Sequence, residues 1–394
     1  MNEDKSNNPA LKFIIIFGII SLFADMTYES AKSLNGEFLA ILGASGAVVG
    51  LVSGLGELLG YSVRMFAGYA SDRTGKYWSF AFTGYLINLF SVPAVALAGN
   101  WQVASILMIL ERVGRGIRTP ARDTILSHAT EGIKRGWAFG LHEALDQIGA
   151  LVGPLLVALI LFLKNGYRAA YALLLIPAVI SMLFLIYAIS RYPNPKEISR
   201  KKEKIPDVKG YSRTFWIYLA AVAFVAAGFV DFPLIAFHFK KASVMPDGWI
   251  PILFSVAMAV DGLSALFAGR VFDRFGIKSL AYFVALTSLS TPLVFLGGSI
   301  SGVFGMILWG INLGAQESVM RAAVADLAST EKRGTAYGIF NTGFGLAWFV
   351  GSAIMGWLYD VSIPLVVIFS VLCELISIPI FFKIGSAGKD MTAM

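Results

Sequence analysis

Twelve runs of apolar residues, each long enough to cross a lipid bilayer, constrain the fold of this chain more than any other feature. A helix rises about 1.5 Å per residue, so roughly 20 apolar residues span the hydrocarbon core. The chain is 57% hydrophobic and 14% charged, a balance that suits lipid as the solvent. The runs cover residues 11–33, 46–70, 77–98, 101–122, 136–163, 167–190, 214–239, 249–269, 279–298, 300–321, 335–358 and 362–383. The sequence therefore predicts a helical integral membrane protein.

The first run differs from a cleavable signal peptide. It is about 23 residues long, ends in charged residues and has no small-residue cleavage site after a short apolar region. We therefore expect residues 11–33 to remain as the first transmembrane helix.

Lysine and arginine are concentrated in alternate loops, and this asymmetry predicts the orientation. The basic set consists of Lys5, Lys12, Arg73, Lys76, Arg115, Arg118, Arg122, Lys134, Arg135, Arg270, Arg274, Lys278, Lys332, Arg333, Lys383 and Lys389, together with the segment 191–213. The opposite set holds Lys32, Lys164, Arg168, Lys240 and Lys241. We expect both termini to be cytoplasmic in the cell membrane. The formal charge of +7 then reflects topology and contact with anionic lipids, and no nucleic-acid partner is expected.

A long polar stretch, RYPNPKEISRKKEKIPDVKGYSR at 191–213, divides the chain into two halves. Residues 1–190 and 214–394 each contain six apolar runs, the second followed by a short cytoplasmic tail. The halves also share a sequence, because GYASDRTGK from residue 68 recurs as GRVFDRFGIK from residue 269. This organisation predicts two six-helix domains joined by a cytoplasmic linker, a plan that transporters use with the substrate held near the midplane.

The repeated loop resembles the Gly-x-x-x-Asp-Arg-x-Gly-[Arg/Lys]-[Arg/Lys] motif of the major facilitator superfamily, and the resemblance extends over essentially the whole chain. The matching residues are Gly68, Asp72, Arg73, Gly75 and Lys76 in the first copy and Gly269, Asp273, Arg274 and Gly276 in the second. Tyr77 departs from the motif, and Ile277 separates Gly276 from Lys278. The resemblance implies an all-α fold of twelve transmembrane helices in two pseudo-symmetric six-helix bundles. It also implies that these loops latch the cytoplasmic side in the outward-open state, with glycines that let neighbouring helices approach closely. The alternative is that both loops only carry the positive charge of cytoplasmic loops.

The fifth run resembles the helix motif of drug and proton antiporters within this superfamily. Gly140, Gly149, Gly153 and Pro154 occur at the motif spacing in GLHEALDQIGALVGPLLVA, but Val157 and Ala158 replace its closing glycines. The resemblance implies a flat face that packs on a helix of the other half, and a proline kink. Generic packing of small residues is the alternative.

The fourth run carries the Arg-x-x-x-Gly pattern of the same antiporters. Arg112 and Gly116 match it in ILERVGRGIRTPARD. The resemblance implies that Arg112 influences proton transfer. Arg115 and Arg118 are unusual neighbours for this motif.

Acidic residues inside apolar runs are expensive to place in a membrane and therefore mark candidate sites. In SLFADMTYESAKSL, Asp25 and Glu29 are four residues apart and share a helix face, an arrangement that suits a proton carrier. The alternative for Glu29 is neutralisation by Lys32. The candidate proton-coupling or substrate-binding residues are Asp25, Glu29, Arg112, Asp146, Asp231, Asp261 and Glu317.

The reasons for the later candidates differ. Asp231 lies in the seventh run as the possible counterpart of Asp25, and Asp261 lies about 12 Å from the loop by helical rise. Asp146 shares a face with His142, and Glu317 neighbours Gln316 but has Arg321 four residues on as a possible partner. Glu57, Arg64 and Glu374 are further charges in apolar runs, to which the sequence assigns no role.

Other chemistry is sparse in the sequence. The chain has one cysteine and three scattered histidines, with no paired metal-ligand spacing and no Gly-Lys-Ser/Thr phosphate loop. We therefore expect no metal, no cofactor and no enzyme activity. The prediction is a monomeric, proton-coupled exporter of small organic molecules that works by rocking of its two halves. A facilitator or symporter of organic acids, sugars or a divalent metal ion on the same fold is the alternative, and a non-transporting receptor or scaffold is a second one.

Overall fold

The computed structural model describes residues 9–129, 135–193, 210–328 and 333–391, and every regular element in these ranges is helical. The predicted all-α membrane fold is confirmed. Lys5, Lys134, Lys332 and most of the predicted linker lie outside the described residues.

The helices of the first half follow the predicted apolar runs closely. They are α1 (Pro9–Ile41), α2 (Gly46–Thr74), α3 (Tyr77–Ala94, continued by the 3-10 turn Val95–Leu97), α4 (Trp101–Ala129), α5 (Arg135–Phe162), α6 (Gly166–Leu173) and α7 (Leu175–Arg191). The pair α6 and α7 forms the sixth predicted span.

The second half contains more interrupted spans. Its helices are α8 (Arg213–Gly228), α9 (Phe232–Lys241), α10 (Trp249–Phe275), α11 (Lys278–Thr287), α12 (Ser290–Phe295), α13 (Ser299–Ala315), α14 (Arg321–Leu327), α15 (Arg333–Val361) and α16 (Ile363–Met391). The π-helical turn Gln316–Met320 joins α13 to α14. Counting interrupted helices once, the described part of the chain contains the twelve predicted spans.

Ten of these spans are long and apolar enough to cross a membrane by length and composition, counted over the described residues. The other two predicted spans differ for separate reasons. Helix α4 carries several charged residues in its central part, whereas the π turn divides the tenth span after Ala315. Both departures coincide with polar or charged side chains in the span.

Three of the helix interruptions lie four residues before a proline. Proline lacks the N–H that would bond the carbonyl four residues earlier, so the helix breaks there. Pro177 follows Leu173 at the end of α6, Pro233 follows Phe229 between α8 and α9, and Pro292 follows Ser288 between α11 and α12. The sequence thus determines these breaks locally.

The described residues cluster into two compact units. Unit 1 comprises those within Met1–Asn35 and Leu59–Lys202, and unit 2 those within Gly36–Leu58 and Glu203–Met394. Unit 2 therefore includes the end of α1 and the start of α2, in addition to the helices from α8 onward. The domain boundaries expected from the sequence, at 190 and 214, stay a prediction.

Candidate functional site

In unit 1, two glycines allow α5 to pack closely against α1. A Cβ at Gly149 would collide with the backbone carbonyl of Leu22, and a Cβ at Gly153 would collide with that of Met26. A Cβ at Gly140 would meet nothing within 4 Å. Gly149 and Gly153 thus face α1 of the same unit, and the packing of this motif on a helix of the other half stays a prediction. Pro154 lies inside α5, next to Gly153.

This close packing brings two of the predicted acidic residues together. Asp25 on α1 is 6% exposed, and its Cβ would lie 3.1 Å from a Cβ at Gly149, which is one helical turn after Asp146 on α5. His142 Nδ1 lies 3.3 Å from Asp146 Oδ2, and His142 Nε2 shares a 2.8 Å hydrogen bond with Ser21 Oγ. One oxygen of each carboxylate, Oδ1 in both cases, has no hydrogen-bond partner among the described residues. The structure therefore places Asp25 and Asp146 in one buried cluster, each with a free acceptor atom.

Three arginines of α4 face the same cluster. Arg115, Arg118 and Arg122 are spaced by three and four residues and therefore share a helix face. Arg115 Nη1 lies 3.8 Å from Glu29 Oε1, and Arg122 Nη1 lies 3.9 Å from Asp146 Oδ2. These residues were assigned to the cytoplasmic loops on sequence grounds, whereas α4 continues to Ala129 and carries them as helical residues.

Arg118 has the most unusual environment of the three. It is 1% exposed and lies over the ring of Tyr85, with 4.4 Å from its Cζ to the ring centroid. A second ring, that of Tyr28, is 5.4 Å away. Its Nε and Nη1 have no hydrogen-bond partner. The site thus holds a desolvated guanidinium group with unused donors, stabilised by cation–π contacts.

Glu29 and Arg112, two further predicted residues, have identified partners in unit 1. Lys32 Nζ lies 4.0 Å from Glu29 Oε2, which is the neutralising contact considered as an alternative from the sequence. Arg112 Nε lies 3.3 Å from Glu111 Oε2, and Asn88 donates to Glu111 Oε1 at 2.8 Å. Arg112 is therefore part of an ion pair with its own neighbour in the chain.

Asp231 lies at the break between α8 and α9 in unit 2. Trp348 Nε1 and Ser352 Oγ of α15 each donate a hydrogen bond to its carboxylate at 2.6 Å. The charges of Asp231 and Glu57 act on each other. Asp231 thus has several hydrogen-bond donors, whereas Asp25, its expected counterpart, has a free oxygen.

The two remaining acidic candidates occupy different surroundings. Asp261 of α10 is 3% exposed, and its backbone carbonyl accepts a hydrogen bond from Ser264 Oγ at 3.0 Å. Glu317 lies in the π turn with an exposed side chain. Asp231, Asp261 and Glu317 thus lie on different elements of unit 2: the break before α9, helix α10 and the π turn.

Unit 2 contains an acceptor-rich cluster that joins Glu374, to which the sequence assigned no role, to the polar residues Asn312 and Gln316 of the tenth run. Asn312 Nδ2 donates to Glu374 Oε1 at 3.2 Å, and Gln316 Nε2 donates to Asn312 Oδ1 at 3.0 Å. The i, i+4 spacing of Asn312 and Gln316 in an apolar run was the available signal. No spacing could indicate Glu374, which lies 62 residues from Asn312.

The repeated loops end α2 and α10. Gly75 and Gly276 have φ values of 68° and 60°, which favour glycine and explain its presence at the end of each helix. A Cβ at Gly269 would meet nothing within 4 Å, and one at Gly68 would lie 3.4 Å from Pro120 Cβ, an ordinary contact. Within the described residues there is room for a Cβ at both positions, and the close helix approach expected at these two glycines stays a prediction. The charged motif residues Asp72, Arg73, Lys76, Asp273 and Arg274 are exposed or at the loop surface.

Among the described residues, no group of three or more His, Cys, Asp or Glu side chains is arranged to hold a metal ion. The described clusters consist of carboxylates, guanidinium groups, amides and aromatic rings. These groups bind protons and polar or charged organic molecules.

The helical membrane fold with paired buried charges defines a class of membrane transporters. A family model described as Major Facilitator Superfamily matches residues 13–246 and 232–389. The chain belongs to this superfamily and is a multi-pass membrane protein.

Three comparisons show how far the similarity extends. A protein of Mycobacterium tuberculosis is 38% identical over 392 residues, covering 96% of this chain and 95% of the relative. The multidrug resistance protein MdtH of Photorhabdus laumondii is 25% identical over 359 residues, covering 89% and 84%. A mutant of the nucleoside transporter NupG has a similar structure, with a TM-score of 0.79, 15% sequence identity, and 94% and 99% of the two chains covered. At that identity the structural similarity concerns the fold alone.

Proposed function

We propose that this protein is a proton-coupled exporter of small organic molecules. The observation that carries the proposal is the cluster of Asp25 and Asp146 in unit 1, each with a carboxylate oxygen that has no hydrogen-bond partner. Ionisable groups inside a membrane protein typically mark ion pathways, and free acceptors are the positions where a proton can bind.

The cluster also has groups that can respond to a change of charge. His142 lies between Ser21 and Asp146, so a proton that leaves Asp146 has a neighbouring imidazole nitrogen. Arg122, 3.9 Å from Asp146 Oδ2, pairs more strongly with the deprotonated carboxylate than with the neutral acid. Proton binding would therefore loosen contacts between α4 and α5. A change of only a few kcal/mol in the free energy of these contacts is enough to shift the balance between two conformations.

The substrate class follows from the same groups and from the relatives. Tyr28, Tyr85 and Arg118 offer aromatic faces and a charged donor, which suit a small organic molecule with a ring or an acidic group. A relative named as a multidrug resistance protein supports the export of such molecules.

The remaining parts of the proposal concern the transport cycle. The two six-helix halves would rock to expose the site alternately to each side, and the loops that contain Asp72 and Asp273 would latch the cytoplasmic side. The protein would act as a monomer in the cytoplasmic membrane with both termini in the cytoplasm. Support for this orientation comes from the distribution of Lys and Arg.

The test is proton movement in proteoliposomes that contain a pH-sensitive dye. Organic cations, organic anions and neutral aromatic compounds are applied in turn to the natural protein, to Asp25→Asn and to Asp146→Asn. We expect one class to drive proton movement in the natural protein, and both variants to lose most of it. Asp247→Asn is the matched control, because it makes the same chemical change in a partly exposed pair with Lys240. Substrate movement without proton movement would reduce the proposal to a facilitator.

Arg118 favours one second candidate, a symporter or facilitator of organic acids. Its unused donors in a buried position fit a carboxylate, which arginine binds through two parallel hydrogen bonds. Arg118→Lys keeps the charge but loses the planar donor pair. If transport of an organic acid falls about tenfold in this variant while transport of an organic cation is unchanged, the second candidate replaces export of cationic or neutral compounds.

A further inference from the structure

Unit 2 contains a buried polar cluster that the proposed function does not use. Glu374 of α16, Asn312 of α13 and Gln316 of the π turn are 1%, 1% and 5% exposed. Asn312 connects the other two, since it donates to Glu374 Oε1 and accepts from Gln316 Nε2. We call these three residues the Glu374 cluster.

The Glu374 cluster has more acceptors than donors. Glu374 Oε2 and Gln316 Oε1 have no hydrogen-bond partner. Among the described residues, Asn312 donates a hydrogen bond to the Glu374 carboxylate, the neighbouring Cys373 thiol interacts with it electrostatically, and no Lys, Arg or His forms an ion pair with it. A buried acceptor without a donor costs about 1–3 kcal/mol, and a charged one costs more. The cluster therefore needs a donor or a cation.

The surroundings favour a proton over a metal cation. A hard metal cation takes about six or more oxygen ligands. The break after α8 lies close to Glu374, since a Cβ at Gly228 would be 3.1 Å from Glu374 Cγ. The Gly228 carbonyl already accepts a hydrogen bond from Ser370 Oγ at 2.6 Å, and that of Val230 accepts one from Trp309 Nε1 at 2.8 Å. Each of these carbonyls thus already accepts one hydrogen bond and offers at most one further lone pair, whereas a proton needs only one carboxylate oxygen.

The Glu374 cluster also lies on backbone that can change conformation. Gln316 is the first residue of the π turn Gln316–Met320, and π turns inside α-helices are common at functional positions. A change in this turn would move the Gln316 amide relative to Asn312 and so alter the donors available to Glu374.

We propose that Glu374 is a proton-binding residue of unit 2, additional to Asp25 and Asp146 of unit 1, with Asn312 and Gln316 as positioning residues. The proton binds Glu374 Oε2, the oxygen that has no partner. This inference does not depend on export or on the identity of the substrate. It adds a second proton site to whichever transport reaction the protein performs.

The test is infrared difference spectroscopy of the full-length protein in lipid across a pH titration. A protonated buried carboxyl group has a C=O stretching band that disappears when the proton leaves and shifts in D₂O. Of the bands that buried carboxyl groups contribute in the natural protein, we expect one to be absent in Glu374→Gln and retained in Asp25→Asn. Asp247→Asn is the control for loss of a carboxyl group in unit 2, and it should leave the band unchanged.

Asn312→Leu provides an independent readout if Glu374→Gln does not fold. Removing the donor to Glu374 Oε1 should move the midpoint of the band by about one pH unit, since a hydrogen bond to a charged group is worth about 1.5–3 kcal/mol. A midpoint that does not move would overturn the proposal. So would the absence of a band that depends on Glu374 between about pH 4 and pH 10. A band that disappears on adding sodium at constant pH would indicate a metal-cation site and also overturn it.

Discussion

Asp360 accepts hydrogen bonds from the first two backbone N–H groups of α2, those of Gly46 and Ala47. Its Oδ1 and Oδ2 lie 2.8 Å from the two nitrogens. A carboxylate at a helix N-terminus satisfies donors that have no partner within the helix and interacts favourably with the helix dipole. Asp360 near the end of α15 therefore holds the start of α2 in place within unit 2.

We expect Asp360→Ala to release the start of α2. The loss of this cap should cost about 1 kcal/mol, which corresponds to about fivefold in the population of the released state. The measurement is the rate at which a membrane-impermeant thiol reagent labels Ala47→Cys in a Cys373→Ser background, because Cys373 is the one cysteine of the sequence. Asp360→Asn keeps one acceptor oxygen and should have a smaller effect. An unchanged labelling rate in Asp360→Ala would show that the contact does not hold the helix.

Replacement by alanine should affect stability differently at two glycines of α5, Gly153 and Gly140. Gly153→Ala should lower the thermal stability in detergent by the equivalent of about 1–3 kcal/mol, because its Cβ would press on the backbone of Met26, which cannot move aside as a flexible side chain can. Gly140→Ala is the matched control, since a Cβ there meets nothing within 4 Å, and it should leave stability unchanged or raise it slightly. Equal losses in the two variants would contradict the packing of α5 on α1.

Asp25 and Asp146 should act as one unit in proton coupling. If both belong to the same proton site, the double variant Asp25→Asn/Asp146→Asn should lose no more proton-coupled transport than either single variant. The measurement is the initial rate of proton movement in proteoliposomes at equal protein density. If the double variant instead loses activity by the product of the two single-variant losses, Asp25 and Asp146 are two independent proton sites in unit 1.

The turn glycine of the second loop provides a stability test away from the charged clusters. Gly276 ends α10 with φ 60° and ψ −148°, a conformation that essentially only glycine adopts, so an alanine there would cost about 1–3 kcal/mol. We expect Gly276→Ala and Gly276→Asn both to lower the unfolding temperature. The comparison with Gly269→Ala, which has open space and lies inside α10, separates backbone strain from helix propensity.

Much of the fold follows from local sequence. The apolar runs predicted each span to within a few residues at most ends, and the three breaks before Pro177, Pro233 and Pro292 follow from the missing N–H of proline. The end of the tenth span was harder to predict, because the π turn Gln316–Met320 interrupts the helix there without a proline to signal it.

The site was predictable only in part, for a physical reason. Asp25 and Asp146 are recognisable because charge is rare in apolar runs. Their proximity depends on two glycines that bring α5 onto α1, and the sequence did not indicate which helix these glycines face. Arg118 was missed because basic residues at the end of a span resemble a cytoplasmic loop, and only the length of α4 shows that it is buried. Contacts between residues far apart in the sequence produce no recognisable pattern of residue spacing along the chain.

The most direct test of the central proposal is proton release on substrate binding, measured with the purified protein in weakly buffered detergent solution. An exporter that exchanges substrate for protons at Asp25 and Asp146 should acidify the solution when a transported compound is added, and Asp25→Asn should bind the compound with little or no acidification. If the natural protein binds its substrate without releasing protons at any pH between about 5 and 8, proton-coupled exchange at this cluster is contradicted.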